Sequence, residues 1–171
     1  GRDDDFHVQS LYGSFHSGSL APVRGANNLP IMLEATEAAD AASSPAIDRG
    51  ALGDSFSNEA GPNGGYVNIG AYGNTPQASK SPEQFIRIMN PNGGETLPQD
   101  EIYIVRWRAA GFSDNVRIEW SNESGVWTDL VSSTANDGLY EWDVSAAGFP
   151  VDNDYQIRVT STQDAGLTDT S

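Results

Sequence analysis

Two histidines, His7 and His16, stand nine positions apart, with Asp3, Asp4 and Asp5 just ahead of the first. Imidazole and carboxylate are common ligands for a zinc or iron ion, which needs three or four of them in a fixed geometry. The spacing puts His7 on the outward side of a strand and His16 in a loop, so solvated histidines are the plainer reading. Asp152-Asn153-Asp154 and Asn136-Asp137 offer oxygen ligands of the kind Ca²⁺ takes. Neither belongs to a twelve-residue loop of spaced acids closed by a glutamate. They are expected as turns in which the side chain bonds its own backbone. Calcium is thus the one cofactor with any support, and none is expected.

Sugar stacking is the next chemistry to weigh. Trp107, Trp120, Trp127 and Trp142 fall in register with apolar neighbours, which favours core packing. Trp127 is expected to be the most exposed, and Trp127 with Trp120 would be the contacts of a carbohydrate ligand. Carboxylates are plentiful, but no motif fixes a pair at glycosidase separation. There is no Gly-x-Ser-x-Gly elbow and no glycine-rich loop between a strand and a helix. Catalysis within this chain is therefore not expected. Asn122-Glu123-Ser124 matches a glycosylation acceptor, which would be idle in a bacterial protein.

These residues must be positioned by a chain that is acidic and rich in turns. The net charge of −15, with only 9 basic residues, repels phosphate backbones and anionic bilayers, so neither nucleic acid nor membrane is an expected partner. No run of roughly 18 apolar residues could span a bilayer. The absence of cysteine excludes disulfides, thiolate catalysis and cysteine-held zinc. The first residue is not Met and no signal-peptide layout opens the sequence, so a piece of a longer or processed precursor is expected.

Residues 6–11 alternate like a half-buried strand. Residues 12–30, rich in Gly, Ser, Asn and Pro, read as a loop excursion. The Ala and Glu content of residues 31–42 predicts a short helix, ended by Ser43-Ser44-Pro45. Beyond it the apolar segments, Ala46-Ile47 and Val67 with Ile69, are too short to form a hairpin alone and would need neighbouring rungs to stack on.

Ser44-Pro45-Ala46-Ile47-Asp48 with Gly50, the run from Pro62 to Gly73 containing Asn68-Ile69-Gly70-Ala71-Tyr72-Gly73, and Thr75-Pro76 with Ala78-Ser79 resemble the last coil of secreted bacterial right-handed parallel β-helix proteins of the pectate-lyase-like kind. Asp5-Phe6-His7-Val8-Gln9-Ser10 is similar to the strand before it. The resemblance implies a fold for residues 1–80 and no active site, because that family's catalytic residues lie on earlier coils.

Residues 81–84 read as a linker around Pro82. Six strands are then predicted, near residues 85–89, 102–108, 116–120, 127–131, 138–144 and 155–161. Ile102, Ile104 and Trp107 are expected to face inward. Short strands with turns at this spacing make an immunoglobulin-like sandwich. Asn90-Pro91-Asn92-Gly93-Gly94-Glu95-Thr96-Leu97, Val105 with Trp107, and Asp154-Tyr155 with Ile157-Arg158-Val159-Thr160-Ser161-Thr162 resemble the Ig-like module of the Ser/Thr-rich, GPI-anchored yeast cell-wall protein family. By that likeness residues 85–171 lack a final strand.

The expected architecture is all-β: the terminal coil of a parallel β-helix, then an Ig-like sandwich. The expected role is that of a non-catalytic structural or adhesive module, extracellular or on the cell surface. It would act on other protein subunits or surface polysaccharide. The alternatives are the accessory C-terminal region of a polysaccharide lyase or glycoside hydrolase, and a carbohydrate-binding module.

Overall fold

The computed structural model describes residues 7–16, 23–24, 26, 30–31, 36–97, 101–122, 125–145 and 154–171. Among them there are eleven strands and no helix, so the fold is all-β. Every strand pair among the described residues is antiparallel, and a parallel β-helix is not shown. Two compact units divide the chain, Gly1–Glu83 and Gln84–Ser171. The boundary falls inside the expected linker, but Ser81 belongs to the first unit. It is fully buried, its hydroxyl donates to Asp48 Oδ1 at 2.9 Å, and its N–H donates to the Pro62 carbonyl at 2.9 Å.

The first unit holds two small pairs of strands, β1 (Ser14–His16) with β4 (Thr36–Ala38) and β2 (Val23–Arg24) with β3 (Pro30–Ile31). Residues 7–10 are not the expected strand, because the Ser10 backbone is engaged elsewhere. Its N–H donates to Asp40 Oδ2 at 2.7 Å and its carbonyl accepts the Asp40 N–H at 2.9 Å. Phe6 lies outside the described residues. Of the helix expected over residues 31–42, residues 32–35 lie outside the described residues, and the described ones are not helical. Thr36–Ala38 lies against β1 with Phe15 opposite Glu37, and residues 41–48 turn. Helix preference differs by only tenths of a kcal/mol per residue, and cross-strand pairing outweighs it. The other described residues of the unit form turns and irregular segments. Segment 46–50 runs antiparallel beside 67–69, with Gly50 N–H to Val67 O and Ile69 N–H to Ala46 O, both 2.9 Å.

The second unit has a three-stranded sheet, β5 (Phe85–Asn90), β6 (Ile102–Ala110) and β9 (Leu139–Asp143), in the order β5-β6-β9. Its four-stranded sheet runs β11-β10-β7-β8, from β7 (Val116–Ser121), β8 (Thr128–Thr134), β10 (Gln156–Ser161) and β11 (Thr168–Thr170). Ile86, Ile88, Val105, Trp107 and Trp142 from one sheet meet Val116, Ile118, Ile157 and Val159 from the other, making a sandwich with one apolar core. Six strands match the predicted ones in place, and the short seventh, β11, was not predicted. In β6 Trp107 faces the core as expected, but Ile102 and Ile104 do not lead that face: Tyr103 and Val105 share it with Trp107, and Ile102 is 60% exposed. Trp107 fixes that choice, since its N–H donates to the Gly138 carbonyl and its indole N–H donates to Asn136 Oδ1 at 2.8 Å. Gly138 sits at φ +88°, and a Cβ there would press on the Trp107 carbonyl at 3.0 Å, so the turn between β8 and β9 requires glycine.

One flank of the sandwich is closed where β5 packs beside β11, and the Ile88 N–H there donates to Asp169 Oδ2 at 2.7 Å. On the other flank β8 and β9 end their sheets. β9 pairs regularly with β6, whereas the ladder between β8 and β7 slips twice, around Ile118.

Candidate functional site

The residue types of a hydrolytic triad do meet in the first unit. Ser14 and His16 share one side of β1, and Asp40 follows β4. Ser14 Oγ donates to Asp40 Oδ2 at 2.5 Å, and His16 Nε2 lies 3.1 Å from the same Oγ and 3.3 Å from Asp40 Oδ1. Ser14 has one proton and gives it to Asp40, so His16 Nε2 must be the donor in its contact with Oγ. A relay needs the opposite arrangement: one imidazole nitrogen accepting from serine while the other donates to the carboxylate. Ser14 is also buried. The trio is a clasp that ties residues 10–16 to Asp40, and it carries no activated nucleophile.

His7 is nowhere near a metal-like arrangement either. Its ring stacks on Tyr72 with centroids 3.5 Å apart, and Phe15 lies 6.1 Å away. Asp3, Asp4 and Asp5 lie outside the described residues, among which no three His, Cys, Asp or Glu side chains group to hold a metal ion. The proposed calcium ligands are partly accounted for: Asn136 accepts the Trp107 indole N–H, and Asp137 Oδ1 accepts the Leu139 N–H in an Asx turn. Asp152 and Asn153 lie outside the described residues.

Deeper in the first unit, buried polar side chains bond the backbone. Glu59 Oε1 accepts the N–H groups of Asn68 and Asn74 at 2.9 and 2.8 Å. Asn68 Oδ1 accepts the Asp48 N–H at 2.8 Å, and its amide donates to the Ser79 carbonyl at 2.6 Å. Gly64, at φ +61°, lies so close that a Cβ would overlap the Asp48 carboxylate. A cavity of about 10 Å³, room for about one water, opens beside Asn68, Tyr72 and Ser79. That is below the roughly 300–1,000 Å³ of small-molecule sites.

The most developed side-chain cluster lies on the outer face of the four-stranded sheet. Along β7 and β10 the inward residues are Ile118, Ile157 and Val159, which places Glu119 and Arg158 outward and opposite each other. Glu119 is nonetheless only 1% exposed. Arg158 covers it, with Nε and Nη2 at 2.8 and 2.7 Å from Oε2, and Arg117 Nη2 bonds Oε1. Arg117 Nε in turn holds Asp129 Oδ1 of β8 at 2.9 Å. Trp127 lies over the Arg158 guanidinium, 4.1 Å from carbon to ring centroid, a cation–π stack. The result is a flat assembly of one half-buried indole, two guanidiniums and two carboxylates, formally neutral and fixed by mutual bonds.

The two tryptophans singled out from the sequence are not brought together. Trp120 turns inward, packs against the core and meets Tyr155 with centroids 5.4 Å apart. Trp127 is on the opposite face of the same sheet. Sequence reasoning missed the Arg117–Glu119–Arg158 network, although laying 116–120 antiparallel against 155–161 would have set Glu119 opposite Arg158. It missed Asp40, Glu59 and Asn68 because their partners, backbone groups of remote turns and for Asp40 also the Ser14 and His16 side chains, leave no periodic signal. No protein-family model, curated protein or solved structure matches this chain.

Proposed function

We propose that this chain is a non-catalytic structural or adhesive module of a larger extracellular or cell-surface protein, docking, anchoring or assembling it against other subunits or surface polysaccharide. The observation that supports this reading most directly is the fate of the reactive side chains. Asp40, Glu59 and Glu119 are turned in and bonded to the chain itself, and Ser14 gives its proton to Asp40. Groups used this way hold a scaffold and leave no base for a substrate.

In the finer fold reading, Gln84–Ser171 is an Ig-like sandwich, supported by seven antiparallel strands split four and three. Gly1–Glu83 is the closing coil of a β-helix, supported by the residue pattern of 44–50 and 62–79. A partner can add a strand at β9, which pairs in unbroken register with β6 and ends its sheet.

The test is to incubate the full chain with soluble polysaccharides and with cell-envelope material, following new reducing or unsaturated ends and retention on the envelope. The expected outcome is retention without turnover. Turnover that disappears in the His16→Ala protein would overturn the reading.

A further inference from the structure

We infer that the outer face of the four-stranded sheet, centred on Trp127, is a binding site for the uncharged hexose rings of a polysaccharide. A hexose presents an apolar C–H face and a rim of hydroxyls, and its recognition needs a flat aromatic surface with polar groups at the edge. Trp127 supplies the surface. One face of its indole rests on the Arg158 guanidinium, so the part of the ring left accessible points away from the sheet. The guanidinium is itself locked by two bonds to the buried Glu119. Immobilising the ring in the free protein removes much of the ordering cost of binding.

The edge groups are supplied by β7 and β8. Asp129 and Arg117 are 47% and 45% exposed at the side chain and bonded to each other through Arg117 Nε and Asp129 Oδ1. The second carboxylate oxygen of Asp129 is an acceptor for a sugar hydroxyl. Bonds from a charged carboxylate to hydroxyls are stronger than neutral ones.

Charge selects the ligand class. Both guanidiniums are already matched by Glu119 and Asp129, so the site offers no net cation to a uronate or sulfate. The chain as a whole carries −15 and repels polyanions. An uncharged glycan meets neither obstacle. Trp120, on the inner face, takes no part.

The site rests on the polysaccharide side of the docking reading. A chain that is retained on envelope material or self-assembles but ignores glycans loses the site and keeps that reading, and one that turns glycans over loses that reading whatever Trp127 reports. The experiment is an NMR titration of the full chain with cellohexaose and mannohexaose, and with oligogalacturonate as the charged comparator. It follows the four indole N–H resonances, with Trp127 assigned through Trp127→Phe, and sedimentation of the same sample reports assembly. A saturable shift of the Trp127 indole is expected with at least one neutral hexasaccharide, with Kd on the order of 1 mM. Trp127→Ala should weaken it tenfold or more. Asp129→Ala, at a half-exposed position where folding is not at stake, should weaken it several-fold. No shift of Trp127 with any neutral glycan, a preference for oligogalacturonate, or full binding by Asp129→Ala would overturn the inference.

Discussion

The two units solve the problem of an interior in opposite ways. Gln84–Ser171 closes two sheets on Ile88, Val105, Val116, Ile118, Ile157 and Val159, all at most 2% exposed, and its buried tryptophans extend the same cluster. In Gly1–Glu83 the buried residues are mainly Ser10, Ser14, Asp48, Glu59, Asn68, Ser79 and Ser81, with Ile47 and Ala78 the buried apolar side chains among the described residues. Apolar burial is non-directional and tolerates small shifts, while buried polar groups stabilise only when each finds its partner. The sandwich is therefore held by volume, and the first unit by the geometry of particular hydrogen bonds.

That contrast can be broken experimentally. The largest effect is expected from Ile118→Ala, which removes a fully buried side chain from the centre of the sandwich. A loss of about 3–4 kcal/mol should appear in urea unfolding of the second unit, with little dependence on salt. Glu119→Ala comes next, at about 2–3 kcal/mol, because it strips the buried carboxylate from two guanidiniums. Glu119→Gln should recover part of that loss by keeping the shape.

For the first unit, Asn68→Ala should cost about 2 kcal/mol, since the Asp48 N–H and the Ser79 carbonyl both lose their partner. Hydrogen exchange at Asp48 and its neighbours should quicken, and unchanged protection there would show that this interior does not rest on its polar bonds. The smallest effect concerns pH. Burial, aided by the nearby Glu95 carboxylate, raises the Tyr103 phenol above its usual 10.0. The folded state thus favours the neutral phenol. The associated stability is complete below pH 10 and fades as pH rises through the raised value. Tyr103→Phe should flatten that alkaline limb, as read by thermal melts between pH 9 and 12.

The same contrast explains how much could be read from the chain. In the second unit, Val116, Ile118 and Trp120 alternate with Arg117 and Glu119, and a period of two both marks a strand and names its buried face. Where two apolar runs overlap, as in Ile102-Tyr103-Ile104-Val105, the period is ambiguous, and only the contact of Trp107 with Gly138 settles the register. The first unit has almost no period to read. Thr36-Glu37-Ala38 looked helical because composition was the sole local signal, and the decisive partner, β1, lies more than twenty residues earlier. At the outer face Trp127 is half-buried, and the buried Glu119 was not legible, because its concealment depends on side chains from a neighbouring strand.

The uneven ladder between β8 and β7 bears on life at high density. Many copies crowded on one surface bring their outermost strands together far more often than dilute molecules do. A long straight strand at that border is a template on which further copies can polymerise, and a crimped one is a poor match for its own image. The slips around Ile118 therefore make β8 the poorer template of the two edge strands and leave β9, in unbroken register, as the better one.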